Sequence, residues 1–327
     1  IRDSLHNSGG NWVTSESEVE GVAIDYFNDL FTTTSPSGYE DFLSEVPTLI
    51  TEDQNRSLTS WASEEEVKSA LFMMHPEKAP GPDGMTALFF QQSWSIIRSD
   101  ITNMVNEFFR TGYLEERMNM TNICLIPKTV RPSRMTELRP ISLCNVGYKI
   151  ISKVLCQRLK RLLPQLVSET QSAFVSGRLI SDNILIAQEM FHGLRTNNSC
   201  KEKFLAIKTD MSKAYDRLEW PFIEAMLLKL GFAQRWVSRI MSCITSVKYK
   251  ILINGQPKGH IIPNRGLRQG DPLSPYLFIL CTEALIANIR KKEANKLLTG
   301  LKIARGSPAI THLLFADDSL FFCKANR

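Results

Sequence analysis

The sequence has no apolar run of about 18 residues, the length that a membrane-spanning helix needs. Its seven cysteines are few, and none are spaced as Cys-x-x-Cys, which argues against a structural zinc and favours a reduced, intracellular protein. Internal repeats and low-complexity tracts are absent. The first residues, Ile1-Arg2-Asp3, contain neither an initiator Met nor a signal-peptide pattern, so we expect a fragment of a longer chain.

The composition is that of a globular protein with a polyanionic partner. The 327 residues are 43% hydrophobic and 22% charged, which excludes a disordered or collagen-like chain. The net charge of +5 is unevenly distributed: residues 1–119 hold 7 Lys and Arg against 20 Asp and Glu, and residues 120–327 hold 32 against 14. A basic excess of this size favours nucleic acid as a partner, although a solvated basic surface is an equal alternative from charge alone.

Helices and strands are predicted to alternate irregularly, which favours an α+β fold. Ser63 and Glu66 form a predicted capping box at a helix start, and the apolar stretch from Val19 to Leu30 predicts a helix within an otherwise linker-like region. Strands are predicted at 123–126, 204–209, 250–253, 260–262 and 310–315, and helices near 86–98, 101–110, 147–163, 180–195, 219–231, 234–246 and 273–292.

Two acidic sites stand at strand ends. The predicted strand at 204–209, which we expect to be buried, ends at Asp210, and the strand at 310–315 is followed by a turn that carries Asp317 and Asp318. Adjacent carboxylates repel each other unless a cation lies beside them. If the strands are neighbours, the acids converge on two hard cations that serve a displacement at phosphorus. An Asp-Asp turn is also ordinary hairpin chemistry, so these residues alone leave a structural role open.

Seven segments in order resemble the successive blocks of reverse transcriptases from LINE-type, non-LTR retrotransposons, in a form similar to plant elements. The segments are 78–84 (KAPGPDG), 123–128 (ICLIPK), 138–143 (LRPISL), 169–174 (ETQSAF), 210–216 (DMSKAYD), 266–275 (GLRQGDPLSP) and 315–318 (FADD). The resemblance implies an RNA-directed DNA polymerase with the fingers and palm of a right-hand polymerase and a mainly antiparallel palm sheet packed on helices. It implies Mg²⁺ as cofactor, two ions, with Mn²⁺ as a substitute, and an RNA template, a DNA primer and dNTPs as partners.

The same resemblance assigns roles to individual residues. Asp210 and Asp317 would bind the metal ions, with Asp318 in a weaker or supporting role. The ring of Tyr215 would press against C2′ of the incoming sugar and exclude ribonucleotides. Gln269 and Gly270 would contact the dNTP and template, just ahead of a helix that Asp271 and Pro272 would start. Lys128 and Arg139 would hold the triphosphate, and each also has a plain alternative as a solvent-exposed cation.

A template path is indicated by basic residues. Residues 120–163 hold nine Lys and Arg against Glu137 alone, and Lys149, Lys153, Arg158, Lys160 and Arg161 would form polar faces of the predicted helix at 147–163. Segment 172–178 resembles the template-contacting segment of the family. A core-packed helix with a solvated face is the alternative.

The resemblance divides the chain into 1–62, an acidic linker with one helix; 63–203, an N-terminal extension and fingers; and 204–327, a palm with fingers strands inserted around 247–263. It covers no thumb, primer grip or endonuclease domain, so we expect this polypeptide alone to be weakly active or inactive. The alternatives are a non-catalytic RNA- or duplex-binding remnant and another two-metal enzyme such as a nuclease, which needs neither Tyr215 nor Gln269-Gly270.

Overall fold

The chain forms a mixed α+β fold, described by a computed structural model for residues 5–7, 9–197, 203–304 and 306–325. The helices are α1 (Glu16–Phe31), α2 (Tyr39–Leu43), α3 (Glu52–Thr59), α4 (Glu64–Phe72), α5 (Ala87–Gln92), α6 (Trp94–Thr111), α7 (Glu116–Asn119), α8 (Val146–Lys160), α9 (Leu163–Leu166), α10 (Ile180–Thr196), α11 (Trp220–Lys229), α12 (Gln234–Thr245) and α13 (Ser274–Ala294). The strands are β1 (Leu5–His6), β2 (Trp12–Val13), β3 (Met120–Pro127), β4 (Leu138–Cys144), β5 (Phe204–Asp210), β6 (Lys248–Ile253), β7 (Gln256–Ile261), β8 (His312–Phe315) and β9 (Asp318–Lys324). The predicted strands and helices are present with shifted boundaries, and the break between the helices predicted at 86–98 and 101–110 lies at Ser93.

Within the described residues, the fold contains two larger sheets and a short β1–β2 pair. The larger has the order β4-β3-β6-β7, in which β3 and β6 run parallel and the outer pairs are antiparallel. The smaller has the order β5-β9-β8 and is antiparallel throughout. The strands predicted around 247–263 therefore join β3 and β4 in one sheet, although about 100 residues separate the two pairs in sequence.

The expectation of one helix in residues 1–62 is wrong, because α1, α2 and α3 all lie there. Helix α1 places Val19, Ala23 and Phe27 on one face, and they are buried in a core shared with Tyr249 and Ile251 of β6. An apolar stripe at this spacing needs a partner surface. That partner lies more than 200 residues downstream, which is why an acidic, Ser- and Thr-rich composition looked like a linker.

Strand β5 is not buried, contrary to the expectation from its apolar sequence. It forms the edge of the smaller sheet, and among the described strands it pairs with β9 alone. Residues 207–210 are exposed, and Ile207 keeps 46% of its surface accessible. An apolar run of this length fits a central or an edge strand equally well, and pairing decides between them.

The capping box predicted at α4 is only half formed. The Ser63 hydroxyl accepts a hydrogen bond from the Glu66 backbone N–H at 3.2 Å, which caps the helix. The Glu66 carboxylate does not return to Ser63, because it accepts two bonds from the buried Arg158 guanidinium, each at 2.7 Å. Arg158 also donates to the carbonyl oxygens of Leu58 and Ser60. The prediction that Arg158 lies on a template-facing surface is therefore wrong.

The described cysteines are unpaired, and Cys200 lies outside the described residues. Within the described ranges, no helix combines the length and the apolar character that crossing a bilayer requires.

We predict that Glu66→Gln lowers the free energy of unfolding by about 3 kcal/mol, because it leaves the Arg158 charge buried without its counterion. Urea denaturation measures the difference. Glu107→Gln is the matched control, since the Glu107–Arg110 pair is exposed and screened by solvent, so its loss should leave the free energy of unfolding nearly unchanged. Equal losses in the two variants would contradict this account of the buried pair.

Candidate active site

Antiparallel pairing brings the three predicted acids to one end of the smaller sheet. Asp210 lies directly opposite Asp318 in the β5–β9 register, and Asp318 in turn faces Phe315 across the β8–β9 hairpin. Directly opposed residues of an antiparallel pair project from the same face with Cβ atoms about 5 Å apart. Asp317 occupies the turn of the hairpin, so acids from distant parts of the sequence meet there.

The turn that carries Asp317 is held in an unfavourable conformation. Ala316 has a φ of 55°, in the left-handed region that residues with a Cβ rarely adopt. The buried Gln171 side chain stabilises it, because its Oε1 accepts a hydrogen bond from the Ala316 N–H at 3.0 Å. Strain of this kind occurs where the surrounding structure imposes it, frequently at functional sites.

The three acids have different surroundings. Asp210 and Asp317 both line a cavity of about 650 Å³, whereas Asp318 is absent from its lining. The Asp318 carboxylate instead pairs with the Lys208 ammonium at 3.1 Å, in an exposed position. Among the described residues, no group of three or more His, Cys, Asp or Glu side chains is close enough to hold a metal ion.

This donor set fits Mg²⁺ rather than a metal that needs an all-protein cage. Mg²⁺ prefers hard oxygen ligands and is usually bound by one or two carboxylates, with waters and substrate phosphates completing its coordination. Asp210 and Asp317 supply two such carboxylates to one cavity. They are therefore the residues that would hold the ion.

Seven of the eight predicted site residues line this single cavity, and Asp318 is the exception. They are Lys128, Arg139, Asp210, Tyr215, Gln269, Gly270 and Asp317. They come from the end of β3, from β4, from β5 and the loop after it, from the loop before α13, and from the β8–β9 turn. The cavity therefore forms only when strands of both sheets and the loops after β5 and before α13 are in place.

The loop before α13 is fastened to its neighbours by backbone hydrogen bonds. Leu267 N–H donates to the Tyr215 carbonyl at 2.7 Å, and Ser142 N–H donates to the Gln269 carbonyl at 2.8 Å. Gly270 has a φ of 107°, and a Cβ there would lie 3.3 Å from the Ser142 carbonyl oxygen. Glycine is required at this position because the backbone is both left-handed and closely packed.

Helix α13 begins close to the predicted residue 273, but Asp271 and Pro272 do not start it as expected. Its first residue is Ser274, and Asp271 does not cap it. The Asp271 carboxylate instead pairs at 2.7 Å with the buried Arg268 guanidinium and accepts a hydrogen bond from the Tyr148 hydroxyl. Asp271 therefore anchors the loop to the core, and Gln269 and Gly270 lie several residues ahead of the helix.

Tyr215 lies half-buried at the wall of the cavity. Its ring stacks on Phe278 of α13, with centroids 4.9 Å apart and planes inclined by 14°. Burial, with a smaller contribution from Asp317, raises the pKa of the Tyr215 hydroxyl above its ordinary value, so the side chain is neutral. The stacking holds the ring in one orientation towards the cavity.

The two predicted cations differ in their contacts. Lys128 is exposed, and its ammonium donates to the Thr136 carbonyl at 3.0 Å, which directs the side chain along the cavity rim. Arg139 on β4 is also exposed. Of the basic residues predicted for the template path, Lys160 and Arg161 are exposed, whereas Arg178 donates to backbone carbonyls of Val167, Ser168 and Gln171 and is structurally engaged.

Tyr26, Lys213 and Asp216 line the same cavity, although no site role was predicted for them from the sequence. The Lys213 ammonium lies 4.6 Å from the centre of the Tyr26 ring, a cation–π distance. The buried Asp216 carboxylate accepts hydrogen bonds from the Gln269 side chain. Lys213 and Asp216 could have been suspected from their places beside Tyr215, but nothing in the sequence of α1 links Tyr26 to a site so far downstream.

The family described as "Reverse transcriptase (RNA-dependent DNA polymerase)" matches residues 126–327, which is more than half of the chain. The chain belongs to this family. The reverse transcriptase resemblance found in the sequence is therefore confirmed, and by family the chain is an RNA-directed DNA polymerase. Tyr26 of α1 lies outside the matched residues although it lines the cavity.

Relatives of the chain place this reverse transcriptase domain among non-LTR retrotransposons. It is 29% identical over 298 residues to "Transposon TX1 uncharacterized 149 kDa protein" of Xenopus laevis, covering 90% of this chain and 22% of that protein. It is 25% identical over 304 residues to "Retrovirus-related Pol polyprotein from type-2 retrotransposable element R2DM" of Drosophila melanogaster, covering 93% and 26%. The chain thus spans about a quarter of the length of these two relatives.

A plant relative supports the expected likeness to plant elements. An uncharacterized mitochondrial protein of Arabidopsis thaliana is 57% identical over 68 residues, covering 21% of this chain and 56% of that protein.

We predict that Gly270→Ala lowers the free energy of unfolding by about 1–3 kcal/mol, because alanine is strained at a φ of 107°. Gly21→Ala is the control: Gly21 lies in α1 with nothing within 4 Å of an added Cβ, so alanine should stabilise the protein by about 0.5–1 kcal/mol. Thermal or urea denaturation measures both, and a stabilising Gly270→Ala would refute the backbone requirement.

Proposed function

We propose that this chain carries the nucleotide-adding site of a non-LTR retrotransposon reverse transcriptase, which copies an RNA template by extending a DNA primer with dNTPs. The observation that supports this most directly is the convergence of seven residues, assigned beforehand from the sequence, on one cavity. In this proposal the β4-β3-β6-β7 sheet belongs to the fingers and the β5-β9-β8 sheet to the palm. Because the template is RNA and the product DNA, we place the protein in the nucleus or in a cytoplasmic ribonucleoprotein.

The proposed reaction is an in-line displacement at the α-phosphorus of the incoming nucleotide. The oxygen of the primer 3′-hydroxyl forms a bond to that phosphorus while the bond to the bridging oxygen breaks. Pyrophosphate leaves, and the hydroxyl proton passes to solvent. Positioning and electrostatic stabilisation dominate the catalysis of such transfers.

Residues of this chain would position the substrate. Lys128 and Arg139 lie at the cavity and would offset the phosphate charges. Asp210 and Asp317 would hold the divalent ions; Mg²⁺ bound there supplies Lewis-acid stabilisation of the attacking and leaving oxygens. Asp318 is paired with Lys208, so it would contribute to the electrostatic potential around the ions and would not be a principal ligand.

The Tyr215 ring would select the sugar. Its stacking on Phe278 fixes the plane of the Tyr215 ring. Because the ring cannot rotate away, the 2′-hydroxyl of a ribonucleotide would clash with it. This role also argues against a nuclease, which needs no discrimination between sugars.

We predict that Asp210→Asn and Asp317→Asn each lower primer extension on an RNA template by at least about 100-fold, and that Asp318→Asn lowers it less. Extension of an oligo(dT) primer on poly(rA) with dTTP and Mg²⁺ measures this. Asp29→Asn, an exposed acid on α1, is the control and should retain activity. Full extension by Asp210→Asn or by Asp317→Asn would refute the proposed metal-binding roles. Because the chain alone is expected to be weakly active or inactive, the assay uses the chain joined to its natural C-terminal continuation. Primer–template binding without extension by that protein would instead favour the non-catalytic binding remnant.

We predict that Tyr215→Ala lowers the preference for dTTP over UTP by roughly 10-fold or more, because the alanine leaves room for the 2′-hydroxyl. Tyr215→Phe keeps the ring and should keep the preference. Competitive single-nucleotide incorporation measures the ratio. An unchanged preference in Tyr215→Ala would refute the sugar-selecting role.

A further inference from the structure

Asp216 is a buried carboxylate at the cavity that the proposed chemistry leaves without a role. It retains 4% of its surface, and its two oxygens accept hydrogen bonds from the Gln269 Nε2 at 3.2 and 3.3 Å. An ionised carboxylate accepts hydrogen bonds but donates none. It therefore selects the orientation of the Gln269 amide in which the NH₂ group faces Asp216 and the carbonyl oxygen Oε1 faces away.

The surroundings of Asp216 keep it ionised near neutral pH. Burial raises its pKa to about 6, while Gln269, Lys213, Lys128 and Arg217 act in the opposite direction. Tyr26 of α1 and Tyr249 of β6 are the further titratable groups coupled to it: burial, with a contribution from Asp216, raises the pKa of Tyr26 to about 12 and raises that of Tyr249 well above its ordinary value. Asp216 is therefore an anion at pH 7.5 and gains a proton as the pH falls through about 6.

The backbone of this loop does not need the Asp216 carboxylate to hold its place. It is already fixed by the Leu267 N–H bond to Tyr215 and by the Ser142 N–H bond to the Gln269 carbonyl. The Asp216 carboxylate instead fixes the terminal side-chain torsion of Gln269. That torsion determines whether the amide oxygen or the NH₂ group faces a ligand in the cavity. A side-chain amide has no such preference of its own.

We propose that Asp216 is a positioning residue, which holds the Gln269 amide so that its oxygen accepts a hydrogen bond from a sugar hydroxyl of the incoming nucleotide. This inference rests on the proposed function, because it takes a nucleotide as the ligand of the cavity. Protonation converts the carboxylate into a group that also donates, and the amide then loses its single orientation. Nucleotide affinity should consequently fall on the acidic side of pH 6.

The orientation can be tested without any ligand. In the full, isotope-labelled chain, the side-chain NH₂ resonances of Gln269 should shift with pH with a midpoint near 6. In Asp216→Asn, which keeps the size but has no such titration, this transition should disappear, and Asp29→Asn should retain it. Gln269 resonances that do not respond between pH 5 and 8 would overturn the proposal.

Nucleotide binding provides the second readout. Calorimetric titration of the unaltered chain with dTTP and Mg²⁺ should give an affinity about 5-fold higher at pH 7.5 than at pH 5.5. Asp216→Asn should bind weakly at both pH values. Gln269→Leu should do the same, and the double variant should bind no more weakly than Gln269→Leu alone. Additive losses, or an unchanged pH dependence in Asp216→Asn, would overturn the coupling.

The experiments distinguish a failure of the proposed function from a failure of the positioning role of Asp216. If dTTP binds to no form of the chain while the Gln269 resonances still follow the titration of Asp216, the proposed function is wrong and the orienting contact is confirmed. If dTTP binds and Asp216→Asn leaves both binding and its pH dependence intact, the positioning role falls alone. Gln269→Leu covers the case in which Asp216→Asn does not fold, since it removes the same contact from the other side.

Discussion

The site depends on the antiparallel pairing of β5 with β9. This register sets Asp210 opposite Asp318 and brings the Asp317 turn alongside. A shift of one residue would turn the acids to the opposite face of the sheet, because successive side chains of a strand alternate. Both strands must therefore be held in register, and the buried Phe322 and Leu313, which share one apolar cluster, contribute to that.

The second requirement is that two loops be seated beside those acids. The loop before α13 is joined to the segment after β5 and to β4 by backbone hydrogen bonds, and its glycines allow approaches that a Cβ would prevent. Arg268 and Asp271 bury a charged pair beneath it. Buried pairs of this kind add little net stability, but they are costly to break, so the loop has few alternative positions.

Much of this arrangement was predictable from local sequence. The strands that end in acids, the helices between them and the motif at Gln269-Gly270 all depend on the character of neighbouring residues, which the sequence displays. The predictions that were wrong concern partners. Arg158 has the sequence character of a surface cation, but it is buried and paired with Glu66. Helix α1 has the composition of a linker, but its apolar face is buried against β6.

The sequence by itself determined which family the chain belongs to, because motif order and residue type can be read without coordinates. It also predicted which residues would carry the proposed chemistry. Only the tertiary structure decided that β5 is an edge strand, that Asp318 is drawn towards Lys208, and that Tyr26 and Asp216 belong to the cavity. These facts arise from contacts between segments far apart in the chain. Such contacts depend on the packing of the whole fold, and no local pattern encodes them.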